Sequence, residues 1–149
     1  MIEEARLSPG DSQVQRNAEL TMVAWLASEL GCKLEPKRIN LPSGSWLALD
    51  AYCEEPLVIC EAWAHQGPPK SAQKMKIMND AMKLLAARRI VGEHARAILL
   101  FADDEAASRF GRKTWHATAL AESRIEVMVA RLPDQLRASI RDAQTRQYR

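Results

Sequence analysis

Two long stretches with helical spacing, Gln13–Leu30 and Ser71–Val91, bracket three short stretches of strand character whose connecting turns permit only antiparallel pairing. Leu34–Leu41 mixes charged and apolar residues and contains Pro36, which marks an edge strand. Trp46–Cys53 alternates, and Leu57–Trp63 is a β-rich apolar run; Pro42–Ser45 and Glu54–Pro56 turn between them. Ser12 with Gln15 fits a capping box for the first helix, and Gly31 closes it. Gly67-Pro68-Pro69 breaks the chain before the second helix, which Gly92 ends. Ala97–Ala102 then reads as a buried inner strand. A helical region reaches about Ser123 with a break near Gly111, and Ile125–Leu132 is a further strand. The last helix starts at Pro133. The expected order is α-β-β-β-α-β followed by α-β-α.

A chain of 149 residues fits one domain, with a core over about 12–102 and a C-terminal extension over about 103–149. Apolar residues at 47% and charged residues at 27% are globular proportions and exclude a disordered chain. Three dispersed cysteines, Cys32, Cys53 and Cys60, form no CxxC pattern, which argues against a disulfide scaffold. With no apolar run near the roughly 18 residues that span a bilayer and no basic-then-apolar opening, the expectation is a cytoplasmic protein without membrane contact. Charge is unevenly spread: residues 1–69 carry five cations and ten anions, residues 70–149 sixteen cations and nine anions. A basic second half suits an acidic partner, although solvated faces produce the same asymmetry.

Two acids stand where acids are unusual. Asp50 lies inside Trp46–Cys53, and Glu61 lies inside the most apolar run. A two-residue turn at Glu54-Glu55 puts Asp50 opposite Ile59, so Glu61 becomes a diagonal neighbour on the same face; a four-residue turn is expected to give the same register, and a three-residue turn would put the acids on opposite faces. Two carboxylates on one face repel unless a cation joins them, and hard oxygens in that arrangement suit Mg²⁺, with Mn²⁺ as substitute. The alternative is a pair of acids on a solvated face.

The helices add further polar groups. Glu19 interrupts the apolar stripe of the first helix, either to reach a site on the sheet or to pair with Arg16 at the boundary. Gln73, Lys76, Asp80 and Lys83 share one face of the second helix. Gln73 and Lys76, nearest the end of the Glu61 strand, are the expected donors to a water or phosphate oxygen, whereas Asp80 and Lys83 read as a solvated face. Lys70, Lys74, Arg88 and Arg89 would attract a phosphate backbone.

This pattern resembles the PD-(D/E)XK nuclease superfamily, nearest to its Holliday-junction-resolvase-like and RecB-like branches, over about Glu19 to Phe101. The resemblance implies a restriction-endonuclease-like α/β fold, a mixed sheet flanked by helices. Glu19, Asp50 and Glu61 would be metal ligands, and Gln73 would be the helix glutamine. It implies a magnesium-dependent endonuclease, a hydrolase of nucleic acid, DNA first, which as a homodimer could cut both strands. Where the family places lysine two residues after the strand glutamate, this chain has Trp63. Either the lysine has moved to the following helix, as Lys76 or Lys74, or the chain is an inactive nuclease-fold module that binds nucleic acid or a protein partner.

Other groups carry less. His65 lies on the Glu61 face if that strand extends and would then touch nucleic acid; otherwise it is a loop histidine. His94 and His116 lack partners at metal spacing, and Asp103-Asp104 reads as a helix cap. The four tryptophans lie in periodic apolar segments and are expected in the core.

Overall fold

The computed structural model describes residues 9–110 and 113–147. Its elements follow the order read from the periodicities: α1 (Pro9–Leu30), β1 (Glu35–Asn40), β2 (Trp46–Cys53), β3 (Val58–Trp63), α2 (Ser71–Val91), β4 (Arg96–Phe101), α3 (Asp104–Ser108), α4 (Trp115–Glu122), β5 (Ile125–Val129) and α5 (Asp134–Gln147). Helix α1 already runs at Pro9, so Ser12 lies within it and does not cap it. The break expected near Gly111 lies outside the described residues. No helix among the described residues is long and apolar enough to cross a membrane.

The five strands form one mixed sheet in sequence order. Strands β1, β2 and β3 are antiparallel, as their short turns require, and β3, β4 and β5 are parallel, joined through helices. Edge positions fall to β1 and β5. All of β3 is buried, because helices cover both of its faces.

Each face has its own core. On one side Ile77, Ala81 and Leu84 of α2 pack with Phe110 and Leu120 against Ile59, Trp63, Leu99 and Phe101. On the other, Ala18, Met22 and Leu26 of α1 join Ile140 of α5 against Cys60, Ala62, Ile98 and Leu100. The helical positions repeat every three or four residues, which places them in one stripe. Each fully buried aliphatic side chain contributes roughly 1.5–3 kcal/mol. The result is one α/β/α domain.

One irregularity shapes everything that follows. Glu35 pairs with Tyr52 and Lys37 with Leu49, so Asp50 and Ala51 stand opposite the single residue Pro36. That is a β-bulge in β2. Before it, Leu47 and Leu49 face the α2 core; after it, Tyr52 faces that core while Ala51 and Cys53 face the α1 core. The bulge re-aims one residue, Asp50.

Candidate active site

The β2–β3 turn spans four residues, with Cys53 paired to Val58 and Ala51 to Cys60. One step further along that register sets Asp50 directly across from Glu61. The shared face was expected; the direct opposition replaces the diagonal one because the turn is four residues long. Asp50 Oδ2 accepts a hydrogen bond from the Ala62 N–H at 2.8 Å, so the carboxylate stands in for a backbone ladder partner. The Asp50 and Glu61 side chains also hydrogen-bond one another.

Glu61 is 3% exposed. Burial, then the hydrogen bond to Asp50 and the charge of Asp50, push its carboxyl up to about 9, against the pull of Lys83. Lys83 Nζ lies 2.6 Å from Glu61 Oε1. Burial opposes the lysine's charge, but Glu61, Asp80 and Asp50 outweigh it and raise its pKa. The solvated role expected for Lys83 is therefore corrected: it is the lysine on Glu61, and Lys76 is not. Chain geometry explains the displacement. Residues 62–66 continue past Glu61 before the chain turns, roughly 16 Å at strand rise. A returning helix needs about eleven residues to recover that length, which leads from the start of α2 to Lys83.

Asp80 is also drawn in. Burial raises its pKa, Lys83 opposes, Asp50 adds to the rise and Lys76 opposes. Glu19 comes from the α1 layer to the same end of the sheet. Burial first, then the Asp50 charge, push it up to about 7, with Gln15 and Lys76 pulling down and Asp80 pushing up. Four carboxylates, Glu19, Asp50, Glu61 and Asp80, thus share a field with only two lysines, Lys76 and Lys83. Among the described residues no three His, Cys, Asp or Glu side chains are gathered closely enough to hold a metal, so Glu19 does not close a three-carboxylate cage with Asp50 and Glu61. The donor set of Asp50 and Glu61 nevertheless fits a small hard cation, which typically takes one or two carboxylates. Such a cation would take the place of the proton that burial favours on Glu61.

The remaining expected residues lie around this centre. Gln73 Oε1 accepts the Lys70 N–H at 2.9 Å and closes the N-terminus of α2, a helix cap. Lys76 is exposed, with its charge felt by Glu19, His65 and Asp80. Lys70 is exposed and Lys74 half-buried in the first turn of α2. His65 stacks on Trp63 with ring centroids 4.5 Å apart, and burial followed by the Lys76 charge lowers its pKa to about 4. It is neutral at physiological pH and offers a phosphate no charge. Arg88, expected beside phosphate, is buried: it donates to the carbonyls of Ser123 and Arg124 at 2.6 Å each and caps the C-terminus of α4.

Sequence reasoning also missed a polar network beneath the site. Asp103 does not cap α3 with its side chain; Oδ2 accepts the Gly67 N–H at 2.7 Å, and Oδ1 accepts from Arg137 at 2.9 Å. Arg137 also donates to Gln66 Oε1, and Gln66 exchanges backbone bonds with the Gln144 side chain. Together these fasten the segment that joins β3 to α2. No local signal reveals them, since the partners are dozens of residues apart.

Trp63 is buried, but Trp46 and Trp115 are exposed, against the expectation of four core tryptophans. Alternation in β2 follows the pleat, and the face carrying Trp46 has no helix over it. No protein-family model matches the chain, no curated protein matches it and no solved structure matches it, so its function is argued from its own residues.

Proposed function

We propose that this chain is a divalent-metal-dependent phosphodiesterase of the PD-(D/E)XK nuclease type, acting on nucleic acid, with DNA as the first substrate to test. The observation that carries the reading is the buried Glu61, held between Asp50 and Lys83 with Nζ at 2.6 Å. A carboxylate pair and a lysine are the three parts that the resemblance assigns to the site, with the lysine carried on α2. Burying such a group costs several kcal/mol that an apolar residue would not.

Asp50 and Glu61 would hold Mg²⁺ or Mn²⁺. When bound, such a cation supplies Lewis-acid stabilisation to a phosphodiester. Asp50 is fixed for that role by the Ala62 amide. Lys83 sets a positive charge beside Glu61, where it would orient a water and stabilise charge developing on phosphate. Lys76, exposed at the rim, adds attraction for the backbone.

Trp63 supports a second reading, an inactive module that binds nucleic acid or a protein partner. The indole fills the position two residues after Glu61 with an apolar ring. A cleavage assay on supercoiled, linear and single-stranded DNA with Mg²⁺ or Mn²⁺ decides. Cleavage by wild type that Glu61→Gln and Lys83→Met both lose supports the nuclease. No cleavage on any substrate leaves the inactive module.

A further inference from the structure

The outer half of the β1–β2 hairpin has a face that no helix covers. Before the bulge, Arg38 and Asn40 of β1 and Trp46 and Ala48 of β2 alternate with the core residues Ile39, Leu47 and Leu49, and all four are exposed. Arg38 is a diagonal neighbour of Trp46 in the register, and its guanidinium carbon lies 4.4 Å from the indole centroid. Lys37, on the opposite face, lies 5.5 Å over Tyr52. Among the described residues neither Lys37 nor Arg38 ion-pairs with a carboxylate. The turn beyond is stiffened by the Leu41–Ser45 backbone bond at 2.9 Å and a Ser43–Ser45 hydroxyl contact at 2.8 Å.

An indole 55% exposed on a regular strand gains little for the fold. Arg38 braces it, and Ala48 beside it adds no bulk. An exposed aromatic ring beside a cation that meets no carboxylate among the described residues is the composition that receives a base and its phosphate from a single strand. Trp46 lies on the strand that carries Asp50, four residues or about 13 Å away along it, with its side chain on the face of the sheet opposite the one that Asp50 and Glu61 share.

We propose that Trp46, braced by Arg38, is a stacking platform for an unpaired base, and that the polynucleotide taken by this domain is single-stranded or locally unpaired DNA. This rests on the nuclease reading above and names its substrate class. Arg38 supplies the charge that matches the backbone; Trp46 supplies the contact that a base makes and an abasic sugar does not.

The test is fluorescence anisotropy of labelled oligo-dT in EDTA at low salt, where no cleavage intervenes. Competitors are an abasic oligomer and a blunt duplex, and the proteins are wild type, Trp46→Ala, Trp46→Phe and Arg38→Ala, each with a thermal melt to show that it is folded. Trp46→Ala is expected to weaken oligo-dT binding on the order of ten- to a hundredfold. Trp46→Phe should stay within a few-fold of wild type, and the abasic oligomer should compete poorly. Unchanged binding by folded Trp46→Ala overturns the proposal, as does equal competition by the abasic oligomer or tighter binding of the duplex. Those results leave the nuclease reading intact if Glu61→Gln still abolishes cleavage with Mg²⁺. If wild type binds no oligonucleotide at all, both readings fall.

Discussion

Lys83 reaches from the middle of α2 to within 2.6 Å of Glu61, across the interior of the sheet–helix interface. The second helix therefore contributes to the carboxylate pair through its fourth turn, while its first turn is occupied by capping.

Replacement of that lysine should separate it from its neighbour on the same face. Lys83→Met is expected to lower Mg²⁺-dependent cleavage at least a hundredfold, the usual scale for a group that orients or activates a reactant. Lys76→Ala, at an exposed position, should cost only a few-fold. Plasmid nicking under single-turnover conditions measures both. A larger loss for Lys76→Ala than for Lys83→Met would contradict the assignment.

The raised Glu61 and Glu19 carboxyls have a consequence for stability against pH. Each has a folded pKa, about 9 and about 7, above the ordinary 4.5, so the unfolded chain ionises first. Their stabilising contribution is complete below about 4.5 and is lost as pH rises toward 7 for Glu19 and 9 for Glu61. Glu61→Gln, which keeps the hydrogen-bonding shape without the charge, should raise Tm relative to wild type at pH 8.5 in EDTA by several degrees. The difference should vanish near pH 5. Thermal melts from pH 5 to 9 give the answer, and a Glu61→Gln protein less stable at pH 8.5 would refute it.

Divalent cations should reverse that loss. Mn²⁺ or Mg²⁺ binding to Asp50 and Glu61 would displace the proton on Glu61, so the rise in Tm on adding cation should be larger at pH 8.5 than at pH 5.5. Asp50→Asn and Glu61→Gln should each abolish it. Calorimetric titration in two buffers of different ionisation enthalpy would count the proton released.

His65 behaves in the opposite sense. Its folded pKa of about 4 lies below the ordinary 6.5, so its contribution is present above 6.5 and is lost as pH falls toward 4. His65→Phe preserves the stack on Trp63 and should flatten the acid limb of the stability profile between those values. An unchanged acid limb would show that other groups govern it.

The element order was readable because each segment's periodicity agrees with its neighbours' turns; Gly31, Gly67-Pro68-Pro69 and Gly92 mark the junctions in plain sequence. The shared face of Asp50 and Glu61 was readable for the same reason, since parity survives a change of turn from two residues to four. Three things were not. The bulge depends on how β2 pairs with Pro36 of another strand. Lys83 depends on how far the chain overshoots before α2 returns. Trp46 looks like a core residue in a pattern of apolar positions, but burial requires a covering layer, and no helix lies over that end of β2; Trp115, at the first position of α4, is exposed as well.

The network under the β3–α2 segment should be stability-bearing. Asp103→Ala strips an acceptor from both Gly67 and Arg137. It is expected to cost on the order of 2 kcal/mol, lowering Tm by roughly 4–8 °C. Urea melts compare the variant with Asp104→Ala, whose side chain is exposed and should be nearly neutral.

The bulge in β2 makes the geometry of this site a matter of counting as well as of chemistry. Removing Ala51 would restore simple alternation through the strand, with Leu49 and Tyr52 still on the α2 side and Cys53 still on the α1 side. Every apolar contact partner on either flank would keep its layer, yet residue 50 would swing to the other side of the sheet, away from Glu61. A one-residue deletion could thus leave a well-folded protein whose acids are both present and can no longer meet.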